Sequence, residues 1–600
     1  MPDPTYIIGI DLGTTNSVVS YVPIGVEEGK HPDIRLFKVP QLVAPGTLDN
    51  LETLPSFLLL PGPHDVPAEG LKLPWHPSAT QAVGAFARDR GAELPHRLIS
   101  SSKSWLCQAG AGRKNPILPW GSKDEDIAKL SPVEASAAIL SHIKASWNFV
   151  MAQEDPSLRL ENQEIFLTVP ASFDAVAREL TAQAARLAGL EGATLLEEPQ
   201  AAFYAWIWAS AGKWRERVKL GDLVLVCDLG GGTTDFSLIQ VNEEDGGLVL
   251  ERVAVGDHLL VGGDNMDLTL AHMVAGKVAK SGKKLDTWQM RGLWQSCRKA
   301  KEGLLSGQGP ESVPVTILGR GSGLIAGTIR SELVNQEVRD ILTDGFFPIV
   351  PKDAAPATQG KAGMREMGLV YASDPAISKH LAGFLARSGE KMPTAVLFNG
   401  GVMKSTHFRT RVLDLLNSWS GGQPDGVREL AGADFDLAVA RGAAYYGLAR
   451  RGSAVRIKGG LGKSYYIGVE AAMPAVPGMP IPMKALCVAP FGMEEGTEAD
   501  LKGEEFGIIV GESVQFEFLG SSVRHEDEVG TVVDDWEQDI EPITLVETIL
   551  EDDDKGAVLP VRIHVSVTEV GTLELWCVST LDDRRWKLEF DVREKEEFSV

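Results

Sequence analysis

Two apolar periods divide this chain of 600 residues between them. Unbroken apolar runs dominate the first part: Ile7 to Ile10 closes on Asp11-Leu12-Gly13-Thr14-Thr15, and Val224 to Cys227 closes on Asp228-Leu229-Gly230-Gly231-Gly232-Thr233-Thr234-Asp235. Short apolar runs bounded by turn signals predict buried strands. Each run leads through an Asp and a glycine turn with threonines into a second strand, Ser17 to Tyr21 and Phe236 to Val241. A hairpin repeated so far along the chain predicts two similar lobes facing one another.

Between the hairpins the period becomes helical. After a strand at Ile165–Val169, the stretch Asp174–Leu187 places Val176, Leu180, Ala184 and Leu187 on one face, with Gly189 as its terminator. Thr194–Glu197 predicts another short strand, and Pro199 the first residue of a helix to about Ala209. Beyond the second hairpin, Asn265–Lys280 and Thr287–Leu305 predict helices. Ala395–Phe398 predicts a strand running into Asn399-Gly400-Gly401, and Phe435–Leu448 a last helix rich in small residues. Residues 306–375 mix strand-like pieces with Gly- and Pro-rich loops and yield no order.

From Tyr465 the period is two. Tyr465–Glu470, Ala485–Pro490, Phe506–Val510, Val514–Leu519, Leu545–Leu550, Val561–Val567, Leu573–Val578 and Trp586–Val592 predict an antiparallel sandwich. The basic, glycine-rich stretch before it (RRGSAVRIKGGLGK, 450–463) is expected to be a linker or exposed turn. The expected organisation is therefore an α/β region over 1–450, a linker over 451–463 and an all-β region over 464–600.

Bulk properties narrow the partners. A net charge of -24 and a pI near 5.0 repel a phosphate backbone, which argues against a nucleic-acid partner. The N-terminus lacks the basic and apolar regions of a signal peptide, and no run reaches the length of a membrane span, so a cytoplasmic protein with no membrane partner is expected. Five scattered cysteines (Cys107, Cys227, Cys297, Cys487, Cys577) form no CxxC pair and are expected as buried thiols rather than zinc ligands or disulfides. Eleven histidines show no ligand spacing, Trp206 and Trp208 are expected to be packing groups, and Glu551–Asp554 a solvated acidic loop.

The glycine turns carry the chemistry. A polyphosphate is held by backbone N–H groups that approach closely, which requires missing Cβ atoms, and by hydroxyl donors. An Asp at each strand end can hold Mg²⁺ directly or through water. One such turn is most simply a tight turn with a capping Asp. Two of them predict a clamp on a single nucleotide.

The motifs resemble those of the seventy-kilodalton heat-shock (DnaK-like) chaperone family of actin-like ATPases. Ile8 to Ser17 resembles its first phosphate motif, and Val226 to Asp235 its second. Leu167-Thr-Val-Pro-Ala-Ser-Phe173, Ala185 to Leu190 and Glu198-Pro-Gln-Ala-Ala202 resemble its connecting segment. Gly262-Gly263-Asp264-Asn-Met-Asp267 resembles its glycine–acid turn and Phe398-Asn-Gly400-Gly401 its adenosine motif. They follow the family's order across residues 6–450.

The resemblance implies a duplicated, ribonuclease-H-like two-lobed ATPase fold followed by a β-sandwich, with ATP/ADP and Mg²⁺ as cofactors. It implies phosphate contacts from Gly13, Thr14, Thr15 and Asn16 on one lobe and Gly230, Gly231, Gly232 and Thr233 on the other. Asp11 and Asp228 would hold the metal's water shell, Glu198 would position the attacking water, and Asp235 would support that water network. Gly262, Gly263, Lys301, Gly400 and Gly401 would contact the nucleoside. The family's catalytic lysine is placed at Lys103, the alternative being a solvated lysine on a surface helix. Unfolded or client polypeptides, and co-chaperones of the nucleotide-exchange or J-domain type, are the implied partners.

Three departures qualify that reading. Arg298 stands where the family has an acid and Glu302 where it has a base, implying either altered adenosine contacts or an exchanged local ion pair. The family's acidic-apolar linker is replaced by Arg450 to Arg456. No long helical pattern follows the last strand, and 593–600 (REKEEFSV) is a short charged tail, so the helical lid is expected to be absent and bound peptide to leave quickly. A small-molecule kinase of the same fold and a non-hydrolysing, nucleotide-switched scaffold remain the alternative functions.

Overall fold

The computed structural model describes residues 3–588, apart from 26–29, 68, 108–112, 125, 245–246, 281, 283, 307–308, 318–328, 358–368, 370, 389–390, 422–425, 433, 453–456, 459–460, 462, 472–481, 495, 502–504, 512, 550–555, 569–572 and 583. The acidic run 551–554 and the tail 593–600 therefore lie outside the described residues.

Each predicted hairpin is the centre of a sheet, and the two sheets repeat one plan. Tyr6–Leu12 pairs antiparallel with Asn16–Pro23 and parallel with Glu164–Val169, which pairs parallel with Thr194–Glu197. Leu223–Leu229 pairs antiparallel with Thr234–Glu244 and parallel with Ala395–Asn399, which pairs parallel with Arg428–Glu429. Among the described residues each sheet has six strands. Their central strands are mostly apolar because both faces are covered, as parallel pairing requires, with Asp11, Thr168, Asp228 and Asn399 at the ends that face the cleft.

Each lobe keeps its own core on the outer side. The inner faces share a third, in which Ile7, Val22 and Phe166 of the first sheet and Val224, Val226, Ile239 and Leu397 of the second enclose two helices, Glu198–Ala209 and Ala438–Arg450. Small residues let those helices sit directly on the backbone. A Cβ on Gly9 would lie 2.6 Å from Ala444 N. This helix pair is the floor of the cleft between the lobes.

Helix boundaries follow local capping. Asp174 accepts from Ala177 N at 2.7 Å and starts the helix Ala175–Leu187, and Gly189 (φ 72°) ends it. Val176, Leu180 and Ala184 are buried as predicted, but Leu187 is 58% exposed, because the last turn runs past the core. The helix Pro132–Trp147 was not predicted, although Ser131 and Glu134 form a capping box with Pro132 at its first turn. Within 306–375 the described residues form a two-stranded sheet, Ser312–Ile317 with Ile329–Val334, and the helix Asn335–Phe346. The final helix begins at Ala438, three residues later than Phe435.

That unpredicted helix buries His142, whose Nε2 lies 3.0 Å from Pro40 O. Burial pulls its pKa down to about 4. Since the folded value lies below the unfolded one (about 6.5), the stability it contributes is complete above about pH 6.5. It is lost as pH falls toward 4, in total roughly 3 kcal/mol. A His142→Gln variant, whose amide can reach the same carbonyl, should flatten the acid-side fall in urea midpoint. An unchanged fall would show that other groups govern acid sensitivity.

The alternating C-terminal region forms two antiparallel sheets over one core. Ser464–Glu470, Met483–Ala489, Ser513–Ser521 and Glu541–Ile549 lie in one; Phe506–Ile509, Val558–Val567, Leu573–Ser579 and Arg585–Leu588 lie in the other. Tyr465, Leu486, Val488 and Phe518 meet Val561, Val565, Leu575 and Cys577 between them. The short strand Glu498–Asp500 was not predicted, being acidic and only three residues long.

Within 451–463, expected to be a linker or exposed turn, two of the described residues are anchored. Ile457 is buried, donates its N–H to Tyr204 Oη at 2.7 Å, and pairs with Leu250 at the edge of the second sheet. Leu461 joins the core of the antiparallel sheets, where Ala175 also packs. Two apolar residues among basic neighbours decide this, and the basic side chains had masked them. Four of the five cysteines are buried and Cys107 partly so, all as free thiols. No helix among the described residues is long and apolar enough to cross a membrane.

Candidate functional site

The two glycine turns meet across the cleft. Gly13 sits where any Cβ would collide with the carbonyl of Asn16, so the first turn can be this tight only with glycine. A Cβ on Gly231 would collide with Thr15 Oγ1, and one on Gly232 would lie 2.8 Å from Thr14 Cγ2 and 2.7 Å from Ser104 Oγ. The second turn is closed by Gly230 N donating to Thr233 O at 2.9 Å. Asn16 begins the outgoing strand of the first hairpin and pairs with Pro55.

The glycine–acid turn backs the second hairpin. Gly263 N donates to Gly230 O at 3.1 Å and Asp264 N to Gly231 O at 2.7 Å, while a Cβ on Gly262 would lie 2.8 Å from Gly230 O. Lys301 Nζ donates to Gly263 O at 2.9 Å, and Val402 lies against the same glycine. Lys301, Gly263 and the Gly400–Gly401 turn thus converge. Gly400 takes φ 85°, where a Cβ would collide with the Leu229 carbonyl and lie 2.7 Å from Asp228 Oδ1, and Gly401 opens onto free space.

Acidic side chains crowd the base of the cleft. Asp11 accepts from Thr168 Oγ1 at 3.2 Å, Asp228 from Asn399 Nδ2 at 2.7 Å, and Asp235 from Ser172 Oγ. Glu198 is bonded to Lys103 Nζ. Burial, with the neighbouring Glu198 charge, raises the pKa of Asp11 and of Asp228. Burial likewise raises Asp235 to about 7, against the Ser172 hydrogen bond that lowers it. Lys103 is 6% exposed, so the surface-helix alternative does not hold. Burial alone would lower its pKa, but the Glu198 and Asp11 charges outweigh that, and the net shift is upward. Lys103 is therefore a buried ammonium among carboxylates.

Of the two readings of Arg298, the ion pair with Glu302 is not formed. Its guanidinium bonds Asp264 and, at 3.0 Å, Asp267, and Glu302 is exposed. It also lies 5.4 Å over the Phe57 ring, while Ser101 Oγ donates to Asp264 Oδ2 at 2.8 Å, so residues of both lobes share this cluster. The sequence reading missed Thr168, Ser172 and Asn399, although all three stand in quoted motifs. It also missed Glu197, which bonds both Arg178 and Arg252 in the buried interior. The doubled acid before Pro199 was the only local signal.

A family model described as Hsp70 protein matches residues 80–344. Residues 80–344, a little under half of the chain, are thus similar to the Hsp70 family. A chaperone protein HscA homolog of Actinobacillus pleuropneumoniae serotype 5b (strain L20) is 32% identical over 274 residues, 45% of this chain and 37% of the relative. The chaperone protein HscA of Salmonella paratyphi C (strain RKS4594) is 32% identical over 271 residues, 44% of this chain and 37% of the relative. The chain thus spans little more than a third of the length of these curated relatives. The Hsp70 match carries the two-lobed actin-like architecture. The Hsp70 match takes in Lys103, Glu198, the Gly230–Gly232 and Gly262–Gly263 turns and the Arg298–Lys301 helix; the first hairpin lies upstream of it and the Gly400–Gly401 turn downstream.

Proposed function

We propose that this chain binds Mg-ATP between its lobes, hydrolyses it, and couples hydrolysis to the binding of client polypeptides. In this reading residues 1–450 are the ATPase part and 464–600 the peptide-binding part, aided by co-chaperones. The observation that carries it is the contact of Gly231 and Gly232 with Thr15 and Thr14 above a cluster of carboxylates holding one lysine.

The residues fit a hydrated magnesium ion. Among the described residues no three His, Cys, Asp or Glu side chains converge to ligate a metal directly. The Asp11 charge nonetheless helps raise the pKa of Asp228, and Asn399 Oδ1 is buried without a partner among the described residues. That donor set suits an ion held through its water shell. When bound, the ion would neutralise phosphate charge.

Thr14, Thr15 and Thr233 would donate to phosphate oxygens, and Gly13, Asn16, Gly230, Gly231 and Gly232 would offer backbone N–H groups. Ser104 Oγ, buried without a partner among the described residues, faces the same gap. Glu198 and Asp235 would orient the water, and Lys103 would stabilise charge developing on the transferred phosphoryl group. Gly262, Gly263, Lys301, Gly400 and Gly401 would hold the nucleoside. The edges of the antiparallel sheets can accept an extended peptide through main-chain hydrogen bonds.

A nucleotide-switched scaffold is the second reading, favoured by Arg298, whose guanidinium is committed to Asp264 and Asp267 beside the nucleoside face. Single-turnover phosphate release from Mg-ATP, with and without an unfolded polypeptide, separates the two. Magnesium-dependent release accelerated by polypeptide supports the chaperone ATPase. Tight nucleotide binding with no release supports the scaffold, and release that requires a sugar or acetate supports a kinase.

A further inference from the structure

Ser172 follows the strand Glu164–Val169 and is buried, with its hydroxyl between two groups. One is Asp235 Oδ1 and the other His258 Nδ1, at 2.6 Å. A hydroxyl has one proton to give, and an ionised carboxylate can only accept. With Asp235 ionised, Ser172 donates to it and accepts from His258, which places the imidazole proton on Nδ1. Burial, reinforced by the charges of Lys463, Lys103 and Arg113, lowers the His258 pKa to about 3 and keeps the ring neutral.

The loop carrying His258 is tied to the strand carrying Asp235 on both sides of that residue. Gly256 N donates to Phe236 O at 2.8 Å, Thr234 N to Leu259 O at 3.0 Å, and Thr234 Oγ1 to Val261 O at 2.8 Å. The ring packs edge-on against Phe173, with centroids 5.5 Å apart. On its outer side Asp257 accepts from Ser522 Oγ at 2.9 Å and from Arg387 at 2.6 Å. The donor is fixed from several directions.

We infer that His258 is a positioning residue for hydrolysis: through Ser172 it holds the Asp235 carboxylate in the orientation that supports the attacking water. Without that donor the Lys103 ammonium, whose charge already reaches Asp235, competes for the carboxylate. The inference rests on the ATPase reading above.

The test uses the full chain and Mg-ATP, with single-turnover rate and nucleotide affinity measured separately. A side-chain amide at the Asn position overlays Nδ1 of histidine, whereas that of Gln overlays Nε2. His258→Gln and Ser172→Ala should each lower the rate by roughly 10–100-fold, with nucleotide affinity within about twofold of wild type. His258→Asn should recover most of the rate, and the double variant His258→Gln/Ser172→Ala should be no slower than either single one. Equal rates for the Asn and Gln variants, or a loss confined to affinity, would overturn the inference. Should His258→Gln fail to fold, Ser172→Ala removes the same link and decides alone. A wild type whose hydrolysis depends on Lys103 but not on His258 sinks the inference only. A wild type that binds Mg-ATP without hydrolysing it sinks the ATPase reading and this inference together.

Discussion

Lys103→Ala lowers the single-turnover rate of ATP hydrolysis by roughly 10²–10³-fold while Mg-ATP still binds. The lysine is buried and charged, and it reaches the site from the short helix Ser102–Trp105, where it bonds Glu198. In a dry cleft a charge aimed at the transferred group strengthens as negative charge develops, whereas in the ground state it is one contact among many. The effect belongs in the rate, and the affinity should move little. Glu198→Ala should act on the same step and combine less than additively with Lys103→Ala, because each side chain is the other's partner. Hydrolysis unaffected by either substitution would show that both residues only seal a structural ion pair.

Gly442→Ala should destabilise the protein by about 3 kcal/mol or more, near the upper end for overpacking. In an open helix this change gains about 1 kcal/mol from propensity. Here the added Cβ would collide with Ala201 O and lie 2.9 Å from Ala205 N, on the facing helix Glu198–Ala209. Both obstructing groups are backbone, so no rotamer change relieves them, and the helices of the cleft floor must separate. Glu198 opens the displaced helix, so hydrolysis should fall together with thermal stability. A melting temperature within about 2 °C of wild type would mean that the helices part at little cost, since 1 kcal/mol shifts a large domain by only about 2–4 °C.

Both predictions depend on the same helix floor, and the two residues differ in how visible they were. Lys103 stood in a recognisable segment, but its burial and its bond to Glu198 were not written there. Gly442 was one small residue in a helix rich in them. Arg298 stands out in the sequence as a departure, but its partners do not, because Glu302 lies one turn away along the helix while Asp264 and Asp267 come from the preceding one.

Features governed by a residue's own backbone were readable in order along the chain: glycine turns after apolar runs, the Asp174 cap, and alternation from Tyr465 onward. They need only local sterics and period, and the sequence by itself determined them. The tertiary structure alone decided that Ile457 and Leu461 anchor the segment expected to be a linker or exposed turn, and that Ser172, His258 and Asp235 form one chain. Those pairings join residues 63 and 86 positions apart, and they exist only because the shared core presses the two sheets onto one helix pair. Burial and the neighbouring charges together then set the ionisation of Lys103 and the carboxylates around it, a property of the surroundings that no linear pattern of residues contains.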